Sequence, residues 1–233
     1  MGAGNIYTFD LGRDDLGRKL GGGFPQGSLA LIEGGGGGGK STICQRLVYG
    51  FLECGYTVTY VSTQLTTKGF IYQMYSMDYP IATHLLRGSL LYIPVIPLIR
   101  SAKPREDFVE RLMSAKKLFD REVIILDTLS ALISASVSPK KGLDLISFFK
   151  RLNGMGKVII LTMNPMQLDE ETMLTFTSAC DVYLQLKLKT MGGAIKRTIF
   201  VNKFTGARRA ISPLIGFRIE PNVGFVVEIS AVS

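Results

Sequence analysis

Gly34, Gly35, Gly36, Gly37, Gly38 and Gly39 form an unbroken run of six glycines, and Lys40 and Ser41 follow at once. The spacing is Gly-x-x-x-x-Gly-Lys-Ser, the pattern in which a backbone loop wraps a phosphate. Such a loop aims successive N–H groups inward, with backbone angles and a closeness of approach that a Cβ obstructs. Glycine therefore suits every variable position, Gly35 to Gly38. In that arrangement Lys40 reaches the β- and γ-phosphates of a nucleotide, Ser41 holds Mg2+, and Thr42 joins the phosphate-contacting set. The competing reading of a glycine run is a flexible spacer. The flanks decide against it: "SLALIE" before the run has a strand's apolar pattern, and an amphipathic helix starts at about Lys40. The N-terminus of that helix adds partial positive charge where phosphates would sit.

A nucleotide site of this kind needs an acid at the end of a buried strand to order the Mg2+ shell. "VIILDT" puts Asp127 there after four apolar residues. This makes Ser41 and, through water, Asp127 the candidate metal-holding pair. A helix cap or turn is the other use of such an aspartate. Asn164 ends "IILTMN" in the same way, either as a γ-phosphate contact or as a plain strand-end turn before Pro165. Zinc-type chemistry is excluded, because His84 is the only histidine and Cys44, Cys54 and Cys180 show no ligand spacing. Cys44 and Cys54 would lie about 15 Å apart along one helix, too far for a disulfide. All three cysteines read as small buried hydrophobes.

The elements that must position these residues alternate. Strand patterns at 28–33, 57–62, 90–95, 122–127 and 157–163 are separated by helical ones at 41–54, 68–75, 104–119, where Pro104 lies near the start, and 142–156. That order predicts an α/β fold with a mainly parallel β-sheet flanked by helices. From about residue 181 the texture changes to "DVYLQLKLK", "AIKRTIFVNKF", "GFRIE" and "GFVVEIS", which read as antiparallel strands at the C-terminal edge. The chain of 233 residues reads as a single domain, 1–233, with a lead-in over 1–27 and the β-rich edge over 181–233.

Bulk properties narrow the setting. At 46% hydrophobic and 20% charged, the composition is globular. No apolar run reaches the roughly 18 residues of a membrane span, and "LLYIPVIPLI" is interrupted by Pro94 and Pro97. "MGAGNI" lacks the pattern of a secretory or myristoylation signal. The expected location is cytoplasmic. A formal charge of +8 favours an anionic partner.

"DDLGRKLGGGFPQGSLALIEGGGGGGKS" (14–41) resembles the start of RecA-superfamily ATPases of the KaiC/RadA type, and the fold implied is a RecA-like P-loop core. "YVSTQLTTKGF", "VIILDTLS" and "FVNKFTGARRAI" extend the likeness over nearly the whole chain, towards the KaiC-like component of the archaellum motor. The resemblance implies ATP and Mg2+ as ligands and a homo-hexameric ring. It also implies three kinds of partner: the motor ATPase (FlaI), the membrane platform protein (FlaJ), and a cytoplasmic ring or scaffold. A peripheral association with the membrane-bound motor follows.

Two departures from active relatives matter. Where those enzymes carry a Glu pair after the second core strand, this chain has Gln64 and Leu65. A glutamine orients a water but does not accept its proton. Where the family has Lys-Met-Arg-Gly, which reaches a neighbour's γ-phosphate, this chain reads Lys203-Phe204-Thr205-Gly206. The lysine is kept, the arginine is not, and loss of such an arginine costs orders of magnitude in rate. Arg208 or Arg209 could act from a shifted position. The catalytic set implied is Gln64, Asp127 and Lys203, and the function implied is ATP binding with slow or absent hydrolysis, controlling oligomerisation and the motor ATPase. The alternatives are an active KaiC-like ATPase or autokinase, and a DNA-binding recombinase paralogue. Against the last, only about 27 residues precede the first core strand, and the basic residues are not interleaved with aromatics for stacking on nucleic acid.

Overall fold

Uninterrupted aliphatic runs become inner strands, because a strand covered on both faces has no solvated side to make polar. A computed structural model describes residues 5–95, 106–191 and 194–228. A short antiparallel ribbon, β1 (Ile6–Tyr7) with β2 (Phe24–Pro25), brackets helix α1 (Leu16–Lys19). The chain then alternates through β3 (Leu29–Gly34), α2 (Lys40–Glu53), β4 (Val58–Ser62), α3 (Thr67–Ser76), α4 (Ala82–Leu86) and β5 (Leu90–Pro94). It continues with α5 (Phe108–Ser114), β6 (Val123–Asp127), α6 (Leu129–Ile133), α7 (Pro139–Gly154), β7 (Val158–Met163) and α8 (Glu170–Ala179). Four strands follow: β8 (Val182–Met191), β9 (Ala194–Phe204), β10 (Leu214–Glu220) and β11 (Gly224–Val227).

Nine strands form one sheet in the order β11-β10-β9-β8-β3-β7-β6-β4-β5. All pairings from β8 to β5 are parallel, and those among β8, β9, β10 and β11 are antiparallel. Alternate residues of each inner strand feed two cores. Ala30, Ile32, Tyr60, Ile125 and Ile160 pack with α2 on one face. Leu29, Leu31, Val61, Ile124 and Leu161 pack with α5, α7 and α8 on the other.

Three features refine the sequence reading. β8 pairs antiparallel with β9, as read for the C-terminal strands, and on its other side pairs parallel with β3, Gly34 opposite Leu186, so it joins the antiparallel edge to the parallel sheet. Its alternating polarity is explained by Glu33, which accepts hydrogen bonds from Tyr183 Oη (2.5 Å) and Gln185 Nε2 (3.1 Å). The helix expected over 104–119 is α5 followed by a 3-10 turn at Lys116–Phe119, since Ala115 leaves helical geometry at ψ 64°. Pro97, Pro104, Gly192, Gly193 and the end of "GFVVEIS" lie outside the described residues. Helix α8 is additional; Asp169 caps it by accepting the Thr172 N–H at 2.8 Å, with Glu170 and Glu171 in the first turn.

The lead-in is clamped to the helix that follows the glycine run. Arg46 donates from Nε (2.6 Å) and Nη2 (2.8 Å) to the Asp14 carboxylate and from Nη1 to Phe9 O (2.8 Å). Both charged side chains are almost fully buried, at 0% and 1% exposure. That pair fixes residues 9–14 against α2.

Candidate nucleotide site

Steric contacts explain the glycines at both ends of the run. A Cβ on Gly34 would lie 3.0 Å from Leu186 Cβ. Gly39 has a left-handed φ of 94°, and a Cβ there would lie 3.1 Å from Phe217 Cζ and 3.5 Å from Arg197 Cδ. Gly38 closes the loop on itself. Its N–H donates to Gly35 O at 3.3 Å, and a Cβ on it would crowd that same carbonyl at 3.2 Å. The Gly38 N–H is therefore shared with the loop rather than aimed wholly outward, which qualifies its expected place among the phosphate donors. Between these points, Gly35, Gly36 and Gly37 face space with nothing within 4 Å of a built Cβ. The loop is thus pinned at its ends, and along its middle only Gly37, at a left-handed φ of 72°, calls for glycine. Gly39 turns the chain straight into α2, whose first bond runs from Ile43 N–H to Gly39 O at 3.0 Å. The N–H groups of the first turn, Lys40 to Thr42, have no helical acceptor of their own and are free for an anion.

Lys40 is 8% exposed and donates from Nζ to Gly34 O (2.7 Å) and Gly35 O (2.8 Å). Burial lowers its pKa, and the nearby Asp127 charge opposes the shift. Asp127 ends β6 at 2% exposure. Its Oδ2 accepts from Tyr60 Oη (2.6 Å) and its Oδ1 from Thr162 Oγ1 (2.9 Å). Burial and the Asp127 charge raise the Tyr60 pKa well above normal, so that hydroxyl keeps its proton and donates. Asp127 opposes Ser62 in the register of β4 and β6. Its carbonyl accepts from Thr63 N–H at 3.1 Å, and Thr128 N–H donates to Thr63 Oγ1 at 3.2 Å.

Gln64 follows, exposed, its N–H directed to Ser62 Oγ at 3.4 Å. Leu65 is braced by Tyr92 Oη on its carbonyl at 2.7 Å. Residues 34–42, Asp127 and Gln64 therefore gather at the C-terminal ends of β3, β6 and β4, where open α/β sheets bind ligands. Asn164, at the same end of β7, makes a local turn: its Oδ1 accepts from Met166 N–H (3.2 Å), and its own N–H donates to Ser130 Oγ (2.9 Å).

Lys203 is not in this group. It opposes Tyr183 at the other end of β8 and donates from Nζ to Cys180 O (2.5 Å) and Ser178 O (3.4 Å). Four residues separate it from Ile199, which is level with Leu186 beside the loop, a span of roughly 13 Å at strand rise. The segment after it packs on the lead-in: Gly206 lies against Pro25, Ala207 against Gly21 and the Arg209 stem against Gly22. Arg208 and Arg209 are thereby held at the lead-in side and exposed.

Sequence reasoning missed the second layer of the site. Arg197 and Phe217 reach the loop through the antiparallel register of β9 and β10, which no local pattern reveals. Tyr60 and Thr162 did leave a signal: Thr162 is the one polar residue in "VIILTM", and Tyr60 is among the polar residues of "VTYVS". The donors available for a cation are a serine hydroxyl and a carboxylate with lone pairs to spare, an oxygen set that suits a hard dication shared with phosphate. No group of three or more His, Cys, Asp or Glu among the described residues could form an all-protein metal cage.

Comparison with known proteins gives a consistent result. The family described as "ATPase: KaiC" matches residues 11–229. The archaeal flagellar ATP-binding protein FlaH of Methanocaldococcus jannaschii is 44% identical over 233 residues, all of both chains. FlaH of Methanococcus voltae is 38% identical over 224 residues, 96% of this chain and 97% of that one. The crystal structure of flagellar accessory protein FlaH from Methanocaldococcus jannaschii superposes with a TM-score of 0.92, at 44% identity, over 97% of this chain and all of the other.

Proposed function

This chain belongs to the FlaH group of the KaiC ATPase family, and from that premise we propose that it is an ATP-binding subunit of the archaellum machinery. In this reading bound ATP is a state of the subunit, held and slowly if ever consumed. The observation that carries it is a full phosphate grip beside an incomplete hydrolytic set. The open cradle of Gly35–Gly37, the buried Lys40 and the start of α2 supply the grip. At the position of a general base stands exposed Gln64, which lacks a basic atom at neutral pH. Thr205 stands in place of the family arginine.

Each residue then has a defined task. Lys40 exchanges the carbonyls of Gly34 and Gly35 for phosphate oxygens. Backbone N–H groups of the loop and of Lys40, Ser41 and Thr42 donate to the phosphates; Gly38 joins them by turning its N–H away from Gly35 O. Mg2+ would offset phosphate charge, held by the Ser41 hydroxyl and, through water, by Asp127. Gln64 orients a water without activating it, and Asn164 sits at the γ-phosphate end of the sheet. Lys203, remote from its own loop, is suited to a neighbouring subunit's nucleotide in a homo-hexameric ring. ATP occupancy would set that assembly and its engagement of the motor ATPase (FlaI), the membrane platform (FlaJ) and a cytoplasmic scaffold.

Calorimetric titration with ATP, ADP and GTP tests the grip. Saturable ATP binding by the wild type that is lost in Lys40→Ala supports the reading. A wild type with no nucleotide affinity contradicts it.

A further inference from the structure

Asp127 is the least accessible acid near the loop, and both of its oxygens are fixed in orientation. Tyr60 Oη holds Oδ2 at 2.6 Å and Thr162 Oγ1 holds Oδ1 at 2.9 Å. The two donors come from β4 and β7, the strands on either side of β6, so the carboxylate is clamped from both flanks of its own strand. Tyr60 and Thr162 are each 0% exposed, so bulk solvent does not compete for either bond. We propose that Tyr60 and Thr162 are positioning residues that fix the Asp127 carboxylate plane, so that it meets the metal–nucleotide complex in one orientation and serves as an outer-shell charge.

The inference rests on the nucleotide reading above. Chemically, a carboxylate tied by two hydroxyl donors has its remaining lone pairs directed in a single way. It can accept from water around a hard cation without reorganising, and preorganisation of this kind lowers the cost of ordering that shell. Tyr60 also belongs to the strand that leads into Thr63 and Gln64, whose loop is tied to the Asp127 carbonyl. The metal-linked acid and the water-facing glutamine are thus parts of one hydrogen-bonded unit.

The test is the affinity for ATP measured twice, in excess Mg2+ and in excess EDTA, for the wild type, Tyr60→Phe, Thr162→Val and Thr162→Ser. The ratio of the two dissociation constants isolates the metal's share of binding. Tyr60→Phe and Thr162→Val should each shrink that ratio about tenfold, the scale of an outer-shell partner. Their affinity in EDTA should stay near wild type, and Thr162→Ser, which keeps the hydroxyl, should keep the ratio. Unchanged ratios in both deletion variants, or equal losses with and without Mg2+, would overturn the proposal. If Tyr60→Phe does not fold, Thr162→Val decides alone, since valine preserves the buried shape. A wild type that binds ATP equally well in EDTA also sinks it while leaving the nucleotide reading intact. A wild type that binds no ATP at all overturns that reading first.

Discussion

Lys40 carries the sharpest prediction at the residue scale. Its ammonium is withdrawn from water, which lowers its pKa below the ordinary 10.5; the Asp127 charge opposes that shift, and the loop carbonyls accept its hydrogen bonds. The sign follows from this. In the free protein the ammonium is present below the depressed pKa and lost as pH rises through it, whereas bound phosphate favours it. The dissociation constant for ATP should therefore climb about tenfold per pH unit at alkaline pH, beginning below 10.5. Lys40→Arg, charged throughout, should show a flat profile in the same titration whatever its absolute affinity. Lys40→Ala should lose roughly 100-fold or more, the worth of charge-assisted bonds. Arg197 offers a second test. Its side-chain Nε is buried and makes no hydrogen bond, and its stem touches the end of the loop. Arg197→Ala should weaken ATP binding several-fold in an equilibrium assay and leave the unfolding midpoint unchanged. The loop, Lys40, Ser41 and Asp127 were legible because strand, glycine run and helix are contiguous in sequence, and because an acid ends an aliphatic run. The internal bond of Gly38 to Gly35 was not, since six identical residues give no hint of which N–H turns inward. Tyr60 and Thr162 were not assigned because sheet register, acting across 35 residues or more, sets their neighbours.

Elements explain the rest of the reading. Strands covered on both faces announced themselves as aliphatic runs, so β3, β4, β6 and β7 were found with α2, α3, α5 and α7 between them, while the short α4 and α6 were not. β8 alternates as a half-exposed strand does, with Val182, Leu184 and Leu186 buried, and only its parallel pairing with β3 went unread. On its part-exposed polar face, Glu33 accepts from Tyr183 and Gln185. The lead-in motif was recognisable, but its physical purpose appears only in three dimensions, in the buried Asp14–Arg46 pair that holds it to α2. Breaking such a pair strands a charge, at a cost of about 3–5 kcal/mol. Asp14→Ala should accordingly lower the denaturation free energy by that amount in urea titration. A double change, Asp14→Leu with Arg46→Met, should cost much less, since no lone charge remains. If the single variant is as stable as the wild type, the lead-in is not anchored in this way.

For the whole molecule, the proposal is that ATP is held. The described residues include no helix long and apolar enough to cross a membrane, and the net charge of +8 suits anionic partners. The glycine loop lies at one end of the sheet and Lys203 at the other; under the proposed reading, neighbouring copies would complete each other's sites. Within one copy, two hydroxyls orient the Asp127 carboxylate, and under the proposed reading exposed Gln64 stands where a general base would. A single-turnover experiment with γ-labelled ATP on purified protein in Mg2+ measures this most directly. Nearly all bound label should stay in ATP for many minutes, and none should move to protein. Release of phosphate at about 1 per second or faster, the rate of working enzymes of ordinary speed, or transfer of label to the chain, would contradict the claim that ATP is held rather than spent.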